Sequence, residues 1–242
     1  MCTASWIDTA DGYTLFFNRD EQRSRAVGRP PRRMTVAGVR LVAPEDAEAG
    51  GTWIGVNEHG LTVCLLNRAP EGRRSPSRPI SRGLLVASLL DCRSTAEVRT
   101  RLDQMALAPY QPFTLVTVEP GHPVILLGWD GLAVTRRLVT QPGLIATSSS
   151  IEAEAIRLSR TRLFDSIAYP APAALQALHR SHLPSAGAHS ICMHRSDAET
   201  VSACRVDVTS GDVALEYTAG APCGGAAPVS CRLLRLEAGV TA

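Results

Sequence analysis

Residues 1–21 constrain the fold more than any other stretch of the chain. Thr3–Ile7 and Tyr13–Phe17 are apolar-rich runs on either side of Asp11-Gly12, a turn dipeptide, so the chain opens as a β-hairpin. Cys2 stands at the head of that hairpin. Removal of Met1, which is commonly cleaved ahead of a small residue, would leave Cys2 with a thiol and a free α-amine. An α-amine has a reference pKa of about 8, so near neutrality a useful fraction can accept the thiol proton. The hairpin returns Asn18-Arg19-Asp20-Glu21 to the neighbourhood of Cys2. A guanidinium there can lower the thiol pKa and a carboxylate can orient the amine. The alternative for such a charged run is a hairpin end standing in solvent.

Asn18-Arg19-Asp20-Glu21 behind Met1-Cys2-Thr3 resembles the NRDE family, also called the transport and Golgi organisation protein 2 family. A second block, Gly50-Gly51-Thr52-Trp53-Ile54-Gly55-Val56-Asn57-Glu58-His59-Gly60-Leu61, continues through Thr62–Asn67 and fits the same pattern. More distantly, Met1–Asp20 and Val56–Asn67 are similar to choloylglycine hydrolase and penicillin V acylase, N-terminal-nucleophile amidohydrolases. The resemblance implies an α+β fold, a four-layer αββα sandwich of two antiparallel sheets flanked by helices, with residues 1–242 as one domain. It also implies an oxyanion role for Asn67.

Composition bears on the asparagines. All 25 basic residues are Arg, Lys is absent, and the three Asn residues, at 18, 57 and 67, all fall inside the motif blocks. Avoidance of Lys and Asn codons fits a GC-rich genome, and against that bias each surviving Asn stands out. Asn57 sits in an Asn-Glu-His-Gly turn, where Asn is locally favoured. Asn67 ends a strand, and its amide is a suitable oxyanion donor. Asn67 is therefore preferred over Asn57 for that role.

The remaining chemistry is mostly exclusion. A net charge of +2 and scattered arginines without interleaved aromatics argue against nucleic acid. Neither a basic, apolar leader nor an eighteen-residue apolar run is visible, so a cytoplasmic protein without a membrane span is expected. Seven cysteines, at 2, 64, 92, 192, 204, 223 and 231, form no disulfide framework, and without a Cys-x-x-Cys pair or an obvious His cluster no metal or other cofactor is expected. The interior cysteines read as small apolar residues.

Arg23–Arg40 and Arg68–Arg82, rich in Pro and Arg, read as exposed loops. Leu84–Leu90 suits a buried helix, and Ser94-Thr95-Ala96-Glu97 caps another through about Met105. Strands follow at Phe113–Val118, Val124–Trp129, Ala133–Val139 and Leu144–Thr147. Ser149 with Glu152 caps a helix to about Ile167, Ala173–His182 is helical, and strands close the chain at Ser190–His194, Thr200–Val208, Val213–Tyr217 and Ser230–Leu236.

Two positions depart from the family pattern. Ser148 stands where relatives carry a substrate-contacting Asn, and Met193-His194-Arg195-Ser196-Asp197 replaces a Tyr-Gly-Thr-Arg-type segment. Together these observations predict a hydrolase of a linear amide C–N bond. Cys2 is the nucleophile, Arg19 stabilises the thiolate or the substrate, Asp20 positions the amine and Asn67 binds the oxyanion. Asn18, Asn57, Ser148 and Arg195 are expected to face a small-molecule amide substrate. Acyl transfer from the thioester to an amine is equally open, as is a homo-oligomer. The rival reading, allowed by the resemblance alone, is a non-catalytic carrier or trafficking protein for a lipid or heme-like ligand on the same scaffold.

Overall fold

The computed structural model describes residues 2–69, 76–147 and 152–236. The opening hairpin forms as expected, β1 (Cys2–Thr9) pairing antiparallel with β2 (Gly12–Gln22) in a register that sets Cys2 opposite Arg19. β10 (Gly143–Thr147) flanks β1 on its other side, with Thr147 opposite Cys2, while β11 (Ala198–Val208), β12 (Asp212–Ala219) and β13 (Val229–Leu234) extend the sheet beyond β2. The second sheet runs in chain order, β3 (Arg29–Val36), β4 (Val39–Glu45), β5 (Ile54–Asn57), β6 (Thr62–Asn67), β7 (Phe113–Val118), β8 (Val124–Trp129) and β9 (Val134–Val139).

Side-chain alternation builds the layers. Cys2, Ala4 and Trp6 of β1 and Tyr13, Leu15 and Phe17 of β2 enter the core between the sheets, against Ile54, Val56, Cys64 and Leu66 of the second sheet. The Tyr13 hydroxyl ties the sheets together by donating to Gly60 O at 2.9 Å, with Thr62 Oγ1 at 2.6 Å. The outer face of the second sheet packs on α1 (Arg82–Ala87) and α2 (Thr95–Gln104), whose residues Leu85, Val86, Val98 and Leu102 are buried. Ile7 and Phe16, on the outer face of the first sheet, meet Phe164 of α3 (Ala153–Asp165) and Leu175 and Leu178 of α4 (Pro172–His179). The result is the αββα sandwich.

Three expectations need correction. Arg23–Arg40 is no loop, because β3 and β4 pair through it about a turn at Ala37 and Gly38, which both have positive φ. The Pro and Arg content that suggested a loop suits an edge strand, where missing N–H groups cost no ladder bond. Ser190–His194 is irregular rather than a strand, although Ser190, Ile191, Cys192 and Met193 are fully buried. The segment meets the sheet through an isolated bridge from His194 to Glu199 and through bonds from Thr200 and Asn18 to its backbone. The third concerns caps. Ser94 does cap α2, its Oγ accepting from Glu97 N, whereas Ser149 lies outside the described residues and Glu152 heads α3 without a side-chain capping bond.

Candidate active site

Adjacent residues of a strand point to opposite faces, so Asn18-Arg19-Asp20-Glu21 cannot all approach Cys2. Arg19 and Glu21 share a cavity of about 300 Å³ with Cys2, Trp53, Asn67 and Arg82. Asn18 and Asp20 lie on the helix-facing side.

The cavity wall opposite the hairpin is made by the Gly50-Gly51-Thr52-Trp53 motif and the start of α1. Gly51 touches Gly83 so closely that an added Cβ would stand 2.3 Å from the Gly83 carbonyl carbon. Thr52 N donates to Gly83 O at 3.0 Å, which fixes the helix start and its Arg82 at the rim. Trp53 supplies an aromatic face with the Arg19 guanidinium 4.2 Å from its centroid.

Charges in the cavity are unequal. Arg19 faces Asp46 at 3.5 Å and Glu21 at 3.8 Å, while Arg25 pairs with Asp46 at 2.9 Å, Glu21 at 3.2 Å and Glu48 at 3.3 Å. Arg82 donates only to Pro112 O, at 2.8 Å, and makes no ion pair among the described residues. Burial lowers its pKa, opposed by the negative field of Cys2 and Glu21. Arg82 thus offers the cavity a cation with no carboxylate paired to it among the described residues, a feature that no local pattern singles out.

Cys2 is 5% exposed, and burial pushes its thiol above the ordinary range. The amino-terminal charge opposes that rise, the Asp20 carboxylate adds to it, and a bond from the Asp20 backbone N–H favours thiolate. This differs from the expectation that Arg19 could lower the thiol pKa. The more accessible thiols are the half-buried Cys223 and Cys231.

Asp20 is held from below. Its Oδ1 accepts from Thr200 Oγ1 at 2.7 Å and its Oδ2 from Arg160 at 3.0 Å, both side chains of the ion pair being fully buried. Arg160 also donates to Thr3 Oγ1 at 2.6 Å and to Ala188 O at 3.1 Å. On the same face, Asn18 gives both amide hydrogens to backbone carbonyls, His179 O at 2.9 Å and Ile191 O at 3.1 Å. Its Oδ1 therefore accepts from His179 Nδ1 at 2.9 Å, which leaves His179 Nε2 as the acceptor for Ser5 Oγ at 2.8 Å. Burial, then the Arg160 charge, lowers the His179 pKa to about 3, so the ring is neutral.

The other candidates divide. Asn67, with Leu65, lines the cavity. Asn57 does not reach it. Its Nδ2 donates to Leu90 O and Cys92 O, and its Oδ1 accepts from His59 N and Leu61 N, so no hydrogen-bonding capacity remains for substrate. The substrate-facing expectation is likewise corrected for Asn18, whose amide is spent on the helix side. Arg195 pairs with Asp197 at 2.8 Å in an exposed position outside the cavity. Ser148 lies outside the described residues.

The architecture is that of the N-terminal-nucleophile hydrolases. Over 97% of this chain and 86% of the other, the structure is similar to penicillin V acylase from Agrobacterium tumefaciens, with a TM-score of 0.59 at 11% identity. A conjugated bile acid hydrolase from Clostridium perfringens is similar over 90% of this chain and 89% of its own, with a TM-score of 0.55 at 12% identity. The Caenorhabditis elegans ortholog of N-acylethanolamine-hydrolyzing acid amidase is similar over 85% and 92%, with a TM-score of 0.59 at 9% identity. The chain belongs to the Transport and Golgi organisation 2 family, whose model matches residues 1–157. No curated protein matches the sequence. Among the described residues no helix is long and apolar enough to cross a membrane.

Proposed function

We propose that the protein is a cysteine N-terminal-nucleophile amidohydrolase acting on linear amides that carry a carboxylate near the scissile bond. The observation that carries this reading is the shared cavity, in which Cys2 and Asn67 stand with Arg82, a guanidinium without an ion-pair partner among the described residues. Likeness to solved amidohydrolases in fold supports it.

Removal of Met1 frees the Cys2 α-amine. Sγ attacks the amide carbonyl carbon while the thiol proton passes to that amine, and Asn67 donates to the developing oxyanion. The amine returns the proton to the departing nitrogen as the C–N bond breaks, leaving a thioester on Cys2. Water then attacks the thioester, releasing the acid and restoring the thiol, whereas an amine in place of water would give acyl transfer. Asp20 acts as a positioning residue, held by Arg160 and Thr200 with its backbone N–H toward the sulfur. Arg19 and Arg25 are largely balanced by Glu21 and Asp46, so Arg82 is the charge left to bind a substrate carboxylate.

N-acyl amino acids are the simplest amides of this description. The test is intact-mass measurement for Met1 removal, followed by hydrolysis of an N-acyl amino acid panel and mass detection of an acyl group on Cys2. Cys2→Ser should keep the fold and lose most turnover, and one extra residue ahead of Cys2 should do the same. Full turnover by the extended protein would overturn the α-amine as base. Saturable binding of an acylated ligand without turnover, in protein proven to lack Met1, would overturn the enzyme reading in favour of a carrier.

A further inference from the structure

Away from the cavity, four side chains of metal-binding chemistry converge where the sequence shows no metal motif. His182, Cys192 and His194 come from the irregular connection between α4 and β11, and Cys223 from the 3₁₀ turn Pro222–Gly224 between β12 and β13. One ligand atom from each lies within 4.8 Å of all the others. His194 Nε2 is 3.6 Å from Cys192 Sγ and 3.3 Å from Cys223 Sγ, and the two histidine rings stand 5.0 Å apart, edge to face.

We propose that His182, Cys192, His194 and Cys223 bind a structural Zn²⁺ ion. With Zn–S near 2.3 Å and Zn–N near 2.0–2.1 Å, a tetrahedral site sets sulfur and nitrogen about 3.6 Å apart. The two S···N distances match that edge, and two thiolates with two imidazoles are the donor set that selects tetrahedral zinc. On binding, both thiols lose their protons to solvent, so two thiolates neutralise the dication. A second shell is also in place, since the other nitrogen of the His194 ring, Nδ1, faces Glu199 at 4.0 Å, and Glu199 is anchored by Arg23 at 2.9 Å.

The fold supplies a reason for such a staple. Residues 180–197 contain no helix or strand, yet they bury Ser190, Ile191, Cys192 and Met193 completely. Met193 O accepts from Thr200 N at 2.9 Å, and the Thr200 hydroxyl accepts from Met193 N at 2.8 Å and donates to Asp20. Zinc on Cys192 and His194 would brace the residue between them, and through Thr200 the support beneath Cys2. The wide spacing, His-x₉-Cys-x-His-x₂₈-Cys, explains why no linear motif announces the site.

The test is metal analysis of protein produced in zinc-replete medium and purified under reducing conditions without chelators. About one zinc per chain is expected, together with the thiolate charge-transfer and intense d–d absorption of tetrahedral cobalt after exchange with Co²⁺. Cys223→Ser and His182→Ala, both outside the buried core, should each bind zinc at least tenfold more weakly, and chelation should lower the melting temperature of the wild type but not of Cys223→Ser. Each readout is independent of amidase activity. Metal-free wild type that gives no tetrahedral cobalt spectrum, a Cys192–Cys223 disulfide in native material, or undiminished zinc in both variants would each overturn the site.

Discussion

The buried pair of Asp20 and Arg160 makes the sharpest demand on stability. Both side chains are fully buried at 3.0 Å, and each is built into further bonds, Asp20 with Thr200 and Arg160 with Thr3 and Ala188. Removing one charge strands the other in a low-dielectric interior, at a cost of about 3–5 kcal/mol. Asp20→Asn keeps an acceptor near its partners but leaves the guanidinium without a counter-charge, and Arg160→Met does the converse. At roughly 2–4 °C per kcal/mol for a chain of this size, either variant should melt about 6–20 °C lower than wild type. Removing both charges with Asp20→Asn and Arg160→Met eliminates the stranded charge and leaves the Thr3 hydroxyl and the Ala188 carbonyl without the Arg160 donor, each bond worth about 1 kcal/mol. The double variant should therefore cost about 2–3 kcal/mol, well below the sum of the singles, which gives a coupling of about 3 kcal/mol or more. Urea denaturation of all four proteins measures the cycle. Single costs that add within about 0.5 kcal/mol would show that the two groups do not act as a buried pair, and the support assigned to Cys2 would fall with it.

His179 sets a pH dependence. Its pKa is about 3 in the fold against 6.5 in the unfolded chain, so the stability it contributes is fully present above pH 6.5. Below that the unfolded chain takes up a proton that the fold refuses, and stability should fall by about 1.4 kcal/mol per pH unit as pH drops toward the folded value. His179→Gln should flatten that limb in pH-resolved denaturation, and an unchanged slope would refute the assignment. Asn67→Ala should lower kcat by roughly 10²–10³ with little change in KM, whereas Asn57→Ala should leave kcat near wild type and lose about 3 kcal/mol, because it unmakes four bonds to buried backbone. Exchange of these two phenotypes in steady-state kinetics and thermal melting would reverse the oxyanion assignment. Arg82→Gln should raise KM for N-acyl amino acids about 10–100-fold and leave the corresponding neutral amides unaffected, in keeping with loss of one charge-assisted contact. Equal effects on both substrate classes would remove Arg82 from carboxylate recognition.

Local rules carried much of this protein. A turn dipeptide between apolar runs determined the hairpin that starts with Cys2, and short apolar runs bounded by turn residues determined β7 and β8 to their end residues. The period of two also held the division of Asn18-Arg19-Asp20-Glu21 between cavity and helix layer, since adjacent strand residues must part. What no local rule could decide was who stands opposite. Arg160 lies 140 residues from Asp20, and one of three arginines in an amphipathic helix looks solvated until the helix docks on the sheet. Arg82 becomes a cavity cation only because Gly51 lets the start of α1 approach within backbone contact. Turn and strand-end positions separated Asn57 from Asn67 in sequence, but only the arrangement of α1 and the turn after it commits Asn57 to Leu90 and Cys92 while Asn67 lines the cavity. The two histidines and two cysteines met for the same reason. Chain connections that bring distant donors together are set by how the layers stack, and that information belongs to the packed sandwich rather than to any window of residues.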